Sequence, residues 1–355
     1  MEGEANKQWI YVKRPEGEVT EEHYKLVETP VPQPGEGEVL LKALFITVDP
    51  YMRIQQAATN TWEAPHPLNK VQGAGAVGEV LVSNDTTGRL KKGDVVLSYS
   101  GWQTHAVVPA ASCRKIDWDP KVAPYSYALG VLGMPGRTAY FGLYEAGKPK
   151  AGETVVVSGA AGAVGSIVVQ LAKIRGCRVV AIAGSDDKLR GSGAQWLKEE
   201  LGADEVLNYK GWKTVDDARQ ALEQACPKGV DVYFDNVGGI ITDAIILHLI
   251  NTFARVIICG QISQYEGHLD SPQLGPRFLH RILYTRATIQ GILARDYNDR
   301  MDEMLQQMVP WLSEVPSNVG KLKYAETVVE GFEKLPSALN SLFSGKNTGK
   351  LVVKV

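Results

Sequence analysis

The chain has 355 residues and a formal net charge of −2; 44% of its residues are hydrophobic and 22% are charged. This length predicts two domains rather than one, and the composition is that of an ordinary globular protein. Because the sequence contains no block of like charge, it gives no indication of nucleic-acid binding through a basic face.

The cysteines and the N-terminus predict a reduced, cytoplasmic protein. The cysteines are widely spaced and form no CxxC pair, so neither a zinc lobe nor a disulfide framework is predicted. The N-terminal "MEGEANKQW" is acidic and polar, unlike a signal peptide, and apolar runs such as "AIILHLI" are too short to span a bilayer. We expect no membrane partner.

Residues 1–133 have the pattern of a β-rich domain. Apolar, β-branched runs cover 39–48, 74–82 and 94–99, and clusters such as "PQPGEGE" separate them. Short strands at this spacing predict a barrel or a sandwich.

From about Pro135 the pattern changes to strands that alternate with helices. Strand "TVVVSG" precedes helix "AVGSIVVQLAKIRG", and strands "RVVAIAG", "EVLNY", "VDVYFDNV" and "RVIICG" follow with helical stretches between them. This alternation predicts βαβ units and a parallel sheet. The final "SGKNTGKLVVKV" falls outside the rhythm, so we expect it to return to the β-rich domain. The predicted division is 1–133 with 311–355 for the β-rich domain and 134–310 for the α/β domain.

A glycine-rich turn, "GAAGAVG", follows the first strand of the α/β segment. Gly159 permits the tight turn, Gly162 allows backbone N–H groups to approach a pyrophosphate, and Gly165 lets the helix pack on its strand. The helix N-terminus adds partial positive charge at the same place. A generic βα turn is the alternative, but the strand–turn–helix context favours a dinucleotide site.

The second strand indicates which dinucleotide is bound. An NAD site has Asp or Glu about 20 residues after the turn, whereas "RVVAIAG" ends without an acid. Arg178, Ser185 and Lys188 are basic or hydroxyl groups that suit a 2′-phosphate, which favours NADP. The alternative is that Arg178 and Lys188 are solvated surface charges.

Several segments resemble the zinc-free branch of the medium-chain dehydrogenase/reductase superfamily that contains prostaglandin reductases, plant double-bond reductases and curcumin reductase. The resemblance covers nearly the whole chain in family order, and its most specific segments are "TVDPYMR" (47–53), "LGMPGRTAYFGL" (132–143), "GVDVYFDNVGG" (229–239), "ICGQISQY" (258–265) and "GKNTGK" (345–350). It implies a barrel-like, GroES-like catalytic domain interrupted by a doubly wound Rossmann domain, usually in a homodimer. It also implies NADPH-dependent reduction of a carbon–carbon double bond conjugated to a carbonyl, in an enone or enal.

The resemblance implies roles for individual residues. It places the pyrophosphate at Gly162, Ala163, Val164 and Gly165, and the adenosine 2′-phosphate among Arg178, Ser185, Lys188 and Tyr209. It adds cofactor contacts from Met134, Asn236, Cys259 and Asn347, with Met134 and Asn347 near the nicotinamide. It gives Tyr51 and Tyr265 to the substrate pocket as the catalytic pair.

The sequence contains no metal-ligand pattern, and this shapes the expected chemistry. Zinc-dependent relatives carry "GHE", whereas this chain has "VQGAGAVGE" with Gln72 and no histidine beside Gly73. Without a metal, hydrogen bonds must polarise the carbonyl, and the phenol of Tyr265, just past a strand end, is a suitable donor.

Simpler interpretations of the site residues stay open. Tyr265 could be a loop aromatic, Tyr51 could only pack in a turn, Met134 could be a core residue and Asn347 a turn residue. Two departures from the family pattern are noted: the glycines of "LRGSGAQW" (189–196) predict a later helix start or a loop, and Arg137 replaces an apolar residue and could alter the cofactor pocket or meet an acidic substrate.

Two other functions remain as alternatives. Related zinc-free members reduce quinones, although the pair "DPYMR" and "GQISQY" favours the double-bond reductases. Because a fold does not fix a function, a non-catalytic NADPH-binding protein is the alternative from another class.

Overall fold

The computed structural model describes residues 4–57, 61–184, 195–265, 274–312, 322–344 and 347–355. Its first third is β-rich, as the apolar, β-branched runs predict. The strands are β1 Ala5–Tyr11, β2 Tyr24–Pro30, β3 Glu38–Thr47, β4 Lys70–Val71, β5 Ala76–Ser83, β6 Val95–Ser98, β7 His105–Pro109 and β8 Arg114–Lys115. β1 pairs with β2 and β4 in a small separate sheet.

The middle of the chain forms a six-stranded sheet in the order β11-β10-β9-β12-β13-β14, and all of its pairings are parallel. Its strands are β9 Thr154–Ser158, β10 Arg178–Ala183, β11 Glu205–Asn208, β12 Val230–Asp235, β13 Ile250–Ile258 and β14 Thr288–Gly291. Helices cover both faces, so all five residues of β9 are buried. This strand order is that of a Rossmann fold.

The last part of the chain returns to the β-rich domain. β15 Glu326–Glu330 lies parallel to β16 Lys350–Lys354, and β16 lies antiparallel to β3. The second sheet of this domain therefore runs β15-β16-β3-β5-β6-β8, with β7 also paired to β3. The prediction that a Rossmann unit interrupts a β-rich domain is confirmed.

The α-helices lie mostly in the Rossmann part. They are α1 Tyr51–Gln55, α2 Met134–Phe141, α3 Gly165–Ile174, α4 Val215–Ala225, α5 Ile240–Ala244, α6 Leu279–Thr285, α7 Met301–Leu312 and α8 Leu335–Ser341. A capping box of Thr214 and Asp217 begins α4, as its "TVDD" sequence allows. π-helical turns at Gly142–Gly147 and Ile245–Leu249 extend α2 and α5.

The structure differs from the sequence-based elements in a few places. β13 begins at Ile250, five residues before the predicted strand at 255, and β14 and β15, like β1, β2, β4, β7 and β8, were not predicted individually. The departure at 189–196 falls almost wholly outside the described residues. In the part of the chain that is described, no helix is long and apolar enough to cross a bilayer.

Candidate active site

The glycine turn lies at the carboxyl edge of the parallel sheet, between β9 and α3. Gly159 has a φ of +60°, a conformation that favours glycine. A Cβ on Gly165 would overlap the Gly159 carbonyl oxygen and would lie 2.8 Å from Ala160 Cα. The first and third glycines are therefore required by the turn itself, as the motif predicts, and Gly162, Ala163 and Val164 lie between them.

The C-terminal segment meets this turn directly. Gly162 and Gly349 form a parallel β-bridge, and the Gly349 N–H donates to the Ala161 carbonyl at 2.9 Å. The side-chain amide of Asn347 donates to the Gly349 carbonyl at 3.2 Å. The structure therefore brings the segment of Asn347, from the β-rich domain, next to the glycine turn of the Rossmann domain.

The ends of β12 and β13 complete the edge beside the turn. The Asn236 amide donates to the Ser158 carbonyl at 2.7 Å, and its backbone N–H donates to Ser158 Oγ at 2.9 Å. Cys259 lies one strand further on, with its N–H bonded to the Asp235 carbonyl at 2.9 Å. Burial, with a smaller effect from the Asp235 charge, raises the pKa of the Cys259 thiol to about 12, so it is a thiol and not a nucleophilic thiolate.

Asp235 organises this edge, and sequence reasoning did not single it out. Its carboxylate is fully buried, and it accepts hydrogen bonds from Ser158, Tyr233, Thr242, Gln261 and the backbone N–H groups of Val237 and Gly238. Six donors compensate for the desolvation of a buried carboxylate. The segment "DVYFDNVGG" includes this residue, but its role becomes visible only where its hydrogen-bond donors from separate elements meet in three dimensions.

Tyr265 follows β13 on a short 3₁₀ turn, Ile262–Gln264. Its hydroxyl oxygen accepts the Gln261 N–H at 3.0 Å, and a Cβ on Gly260 would lie 3.3 Å from that oxygen and 3.2 Å from the Asn236 carbonyl oxygen. Burial raises the pKa of the Tyr265 phenol to about 12. The side chain is therefore a neutral phenol, and its O–H proton is not used by the Gln261 contact.

Tyr51 begins α1 in the β-rich domain. The hydroxyl of Tyr99 lies near that of Tyr51. Burial raises the pKa of Tyr51 well above its ordinary value, so it too is a neutral phenol. Tyr99 follows the end of β6 and was missed in the sequence, where its only signal is its place just after an apolar strand.

Tyr209 follows β11 at the same edge, with its ring against Gly184 after β10. The backbone N–H of Tyr209 also donates to the Ala183 carbonyl at 3.4 Å. Tyr209 is thus beside the strand end where the sequence predicts the adenosine 2′-phosphate. Ser185 and Lys188, which were expected in the same place, lie outside the described residues.

Arg178 is not brought to that place. It is the first residue of β10 and pairs with Thr154, the first residue of β9, whereas the glycine turn follows the last residue of β9. Four residues of strand separate the two levels, about 13 Å at ~3.3 Å per residue. Its guanidinium donates to the Ala225 carbonyl at 2.9 Å and lies 3.6 Å from a Glu205 carboxylate oxygen. This placement argues against the expected contact between Arg178 and the 2′-phosphate.

Met134 and Arg137 both lie on α2. Met134 begins the helix, and its carbonyl accepts the Thr138 hydroxyl at 2.8 Å. The Arg137 guanidinium instead contacts the Met301 sulfur at 3.5 Å, on the side of α2 that faces α7. Burial and the charge of Arg114 lower the pKa of Arg137.

The described residues contain no group of three or more His, Cys, Asp or Glu side chains that could hold a metal ion. Gln72 belongs to the segment that corresponds to "GHE" in zinc-dependent relatives, and it is fully buried. Its side chain accepts a hydrogen bond from Gln56 at 3.0 Å and donates to the Gly73 carbonyl at 3.1 Å. Hydrogen-bonded side-chain amides therefore occupy this position.

Two family models match the chain. One, described as the N-terminal domain of oxidoreductase, matches residues 7–116, and the other, described as zinc-binding dehydrogenase, matches residues 163–314. The two matches correspond to the N-terminal β-rich part and to the Rossmann part.

Curated relatives and a solved structure match over nearly the full length. The NADPH-dependent curcumin reductase of Escherichia coli is 39% identical over 355 residues, which is 99% of this chain and 97% of that protein. Prostaglandin reductase 1 of Mus musculus is 41% identical over 351 residues, 98% of each chain. The crystal structure of CurA from Vibrio vulnificus in complex with NADPH superposes with a TM-score of 0.87 at 38% identity, covering 98% of this chain and 99% of that one.

Proposed function

Because the chain belongs to the medium-chain dehydrogenase/reductase family, we propose that it uses NADPH to reduce the carbon–carbon double bond of α,β-unsaturated ketones or aldehydes, without a metal. Its relatives with nearly full-length matches are named as reductases of curcumin and of prostaglandins, and one structural neighbour is a complex with NADPH. These names support the reaction class and the cofactor.

One observation carries the proposal: the glycine turn, Asn236 and the hydroxyl of Tyr265 converge at one edge of the parallel sheet. Gly159 packs against the Asn236 side chain, and Gly260 lies against both the Asn236 carbonyl and the Tyr265 hydroxyl. Ligands of doubly wound sheets bind outside the carboxyl ends of the strands. A phenol donor therefore lies beside the proposed cofactor site.

The residues at this edge fit NADPH. A side chain at Gly165 would overlap the turn, so the sequence keeps the backbone bare where a pyrophosphate approaches a helix N-terminus. β10 ends at Ala183 and Gly184 without the carboxylate that would repel a 2′-phosphate, and Tyr209 covers Gly184. Gly162 to Gly165 would hold the pyrophosphate, and Ser185, Lys188 and Tyr209 the 2′-phosphate. Met134, Asn236, Cys259 and Asn347 would line the nicotinamide half.

When bound, NADPH supplies the hydride that adds to the β carbon of the substrate. The protein must then stabilise the enolate oxygen until the α carbon takes up a proton that originates from solvent, and we assign this stabilising role to the Tyr265 hydroxyl. The Gln261 N–H occupies one lone pair of that oxygen at 3.0 Å and so orients the phenol, whose proton stays available for the substrate. A phenol with a pKa of about 12 remains a donor throughout the neutral range.

Tyr51 supplies the second hydroxyl from the opposite domain. Together with the nearby Tyr99 it would give the pocket an apolar wall with a polar edge. Such a wall suits an extended conjugated carbonyl compound. The experiment for this function is NADPH consumption over a panel of enals, enones, quinones and saturated alcohols, with products identified and zinc measured in the purified protein.

Each outcome of that panel is informative. Saturated ketones or aldehydes as products support the proposal, and deuterium from labelled NADPH should appear at the β carbon. Turnover of quinones alone would make the chain a quinone reductase, and NADPH binding without any turnover would make it a non-catalytic binding protein. Label on the carbonyl carbon, or one zinc per chain, would contradict the proposal.

The proposal includes domain limits, assembly and location. We keep 1–133 with 311–355 as the catalytic domain and 134–310 as the Rossmann domain. A homodimer is supported by the exposed edge strand β14 and by α6, which leaves Leu279, Leu283 and Tyr284 about 70% exposed (75%, 72% and 69%). All four cysteines are free, which suits the reducing cytoplasm.

A further inference from the structure

A buried ion pair lies within the β-rich domain, close in the chain to the segments that carry the proposed site. Lys350, the first residue of β16, and Asp49, just past β3, have side chains that are 2% and 7% exposed, and Lys350 Nζ lies 3.2 Å from Asp49 Oδ1. Burial of an ammonium and a carboxylate is unfavourable unless the geometry is well satisfied, and an apolar pair of similar volume is often as stable. The presence of this pair therefore suggests a role beyond stability.

Both charged groups of the pair also have hydrogen-bond partners. Lys350 Nζ donates to the carbonyls of Val48 at 2.8 Å and Leu351 at 2.7 Å, so three oxygens lie within 3.2 Å of it. The other carboxylate oxygen of Asp49 accepts the Thr47 hydroxyl at 2.6 Å. Lys350 thus contacts its own strand, the segment just past β3, and the Asp49 carboxylate that precedes α1.

The pair connects two segments of the proposed site. The Asp49 carbonyl accepts the Met52 N–H at 3.1 Å and so begins the helix whose first residue is Tyr51. On the other side, Gly349 precedes Lys350 and forms the bridge to Gly162 of the glycine turn. The Lys350–Asp49 contact therefore connects the segment that begins the Tyr51 helix to the strand that meets the proposed cofactor turn.

A third segment reaches the same cluster. Glu326 pairs in register with Lys350 across β15 and β16, and its carboxylate accepts the Ser126 hydroxyl at 2.6 Å. The Tyr324 hydroxyl packs against Gly130, four residues before Met134. The groups that face Lys350 from the neighbouring elements are thus Asp49 and Glu326, and the cluster adjoins the turn that leads to Met134.

We propose that Lys350 and Asp49 are positioning residues, which hold Tyr51 at a fixed place relative to the cofactor turn without touching substrate or cofactor. The inference rests on the proposed function, because its benefit is a defined geometry between two domains for one reaction. A displacement of about 1 Å at a reacting group can reduce a rate by about a hundredfold. Buried charges resist such a displacement better than an apolar contact, because the Lys350 ammonium is held by Asp49 and by two carbonyl oxygens at once.

The test is the double variant Lys350→Met/Asp49→Asn, which removes both charges of the pair, while Glu326 keeps its bond from the Ser126 hydroxyl. The matched control is Lys354→Met/Glu330→Gln on the same two strands, where an exposed pair with a 3.2 Å separation is removed. We expect both proteins to fold. The Lys350→Met/Asp49→Asn protein should bind NADPH with a Kd within about threefold of the parent value. Its kcat on an enone should fall by about tenfold to a hundredfold. The control variant should have the same Kd for NADPH and the same kcat as the parent.

A second measurement is independent of turnover. Hydrogen–deuterium exchange over 49–57 should be faster in the double variant and unchanged in the control, because the start of α1 loses its anchor. If the double variant does not fold, Asp49→Asn alone, which keeps the side-chain shape, replaces it with the same expectations.

An unchanged kcat and an unchanged exchange rate would overturn the inference. So would a loss of activity that is matched by a loss of folded or NADPH-bound protein, since that result describes a structural role only. A parent protein that reduces no enone would instead contradict the proposed function. The exchange result would still decide whether the pair holds α1.

Discussion

Replacement of Tyr265 by phenylalanine tests the chemistry most directly, because it keeps the ring and removes one oxygen. That oxygen accepts the Gln261 N–H at 3.0 Å in a partly buried site, so its loss should lower the free energy of unfolding by about 1 kcal/mol. For a domain of this size the expected decrease in Tm is about 2–4 °C. NADPH affinity should change little, since the glycine turn is not affected.

The effect on turnover should be much larger than the effect on stability. Loss of one positioned donor to a developing oxyanion costs about a hundredfold in kcat, which is about 2.7 kcal/mol. The assay is steady-state NADPH oxidation with an enone, together with NADPH titration and thermal unfolding of the same preparations. Tyr284→Phe, on the exposed face of α6, is the matched control and should leave all three quantities unchanged. A Tyr265→Phe enzyme that keeps kcat within twofold of an active parent would refute the assigned role.

Three further results are expected. Gly165→Ala places a methyl group against the Gly159 carbonyl, and since overpacking costs about 1–3 kcal/mol, Kd for NADPH in a fluorescence titration should rise about tenfold, whereas Gly211→Ala, in open space, should have no effect. Burial raises the pKa of Glu326, so this carboxyl stabilises the fold when protonated, and that contribution is lost as the pH rises through its folded pKa. Glu326→Gln should therefore raise Tm more at pH 8 than at pH 5. An equal change in Tm at both pH values would contradict this reasoning. Leu283→Lys on α6 should yield a monomer in sedimentation velocity, and a dimer with parent-like affinity would exclude this face as the interface.

The parts of the fold that follow from sequence are those where one pattern decides the structure. The strands β9, β10 and β12 are buried on both faces and appear in the sequence as continuous apolar runs, so their existence and order could be predicted. β14 is exposed along its whole length and β15 is only partly buried, so neither has such a run. Their places in the sheets depend on pairing with partners far away in the chain.

The site shows the same distinction. The glycine turn is a local motif and was predicted with its geometry, whereas the location of Arg178 depends on which end of a strand a residue occupies. Arg178 is only five positions before the end of β10 and so is close in sequence to the 2′-phosphate site, but it lies at the amino end of that strand, away from the carboxyl ends where the site is expected. The Lys350–Asp49 pair and the bonds to Asp235 arise from register and from the meeting of separate elements, and a single sequence contains no signal for either.

The position of β16 has a consequence for how the protein is made. This strand lies between β15 and β3 in the middle of a sheet, yet it follows the entire Rossmann segment in the chain. During synthesis the Rossmann unit can complete its own sheet first, while Phe45–Thr47 of β3, beyond the part that β7 pairs, wait without a partner on that side until β16 emerges from the ribosome. The nascent β-rich part therefore exposes unpaired strand hydrogen-bonding groups for longest. We expect its folding to depend on chaperones until residues 350–354 can pair with β3.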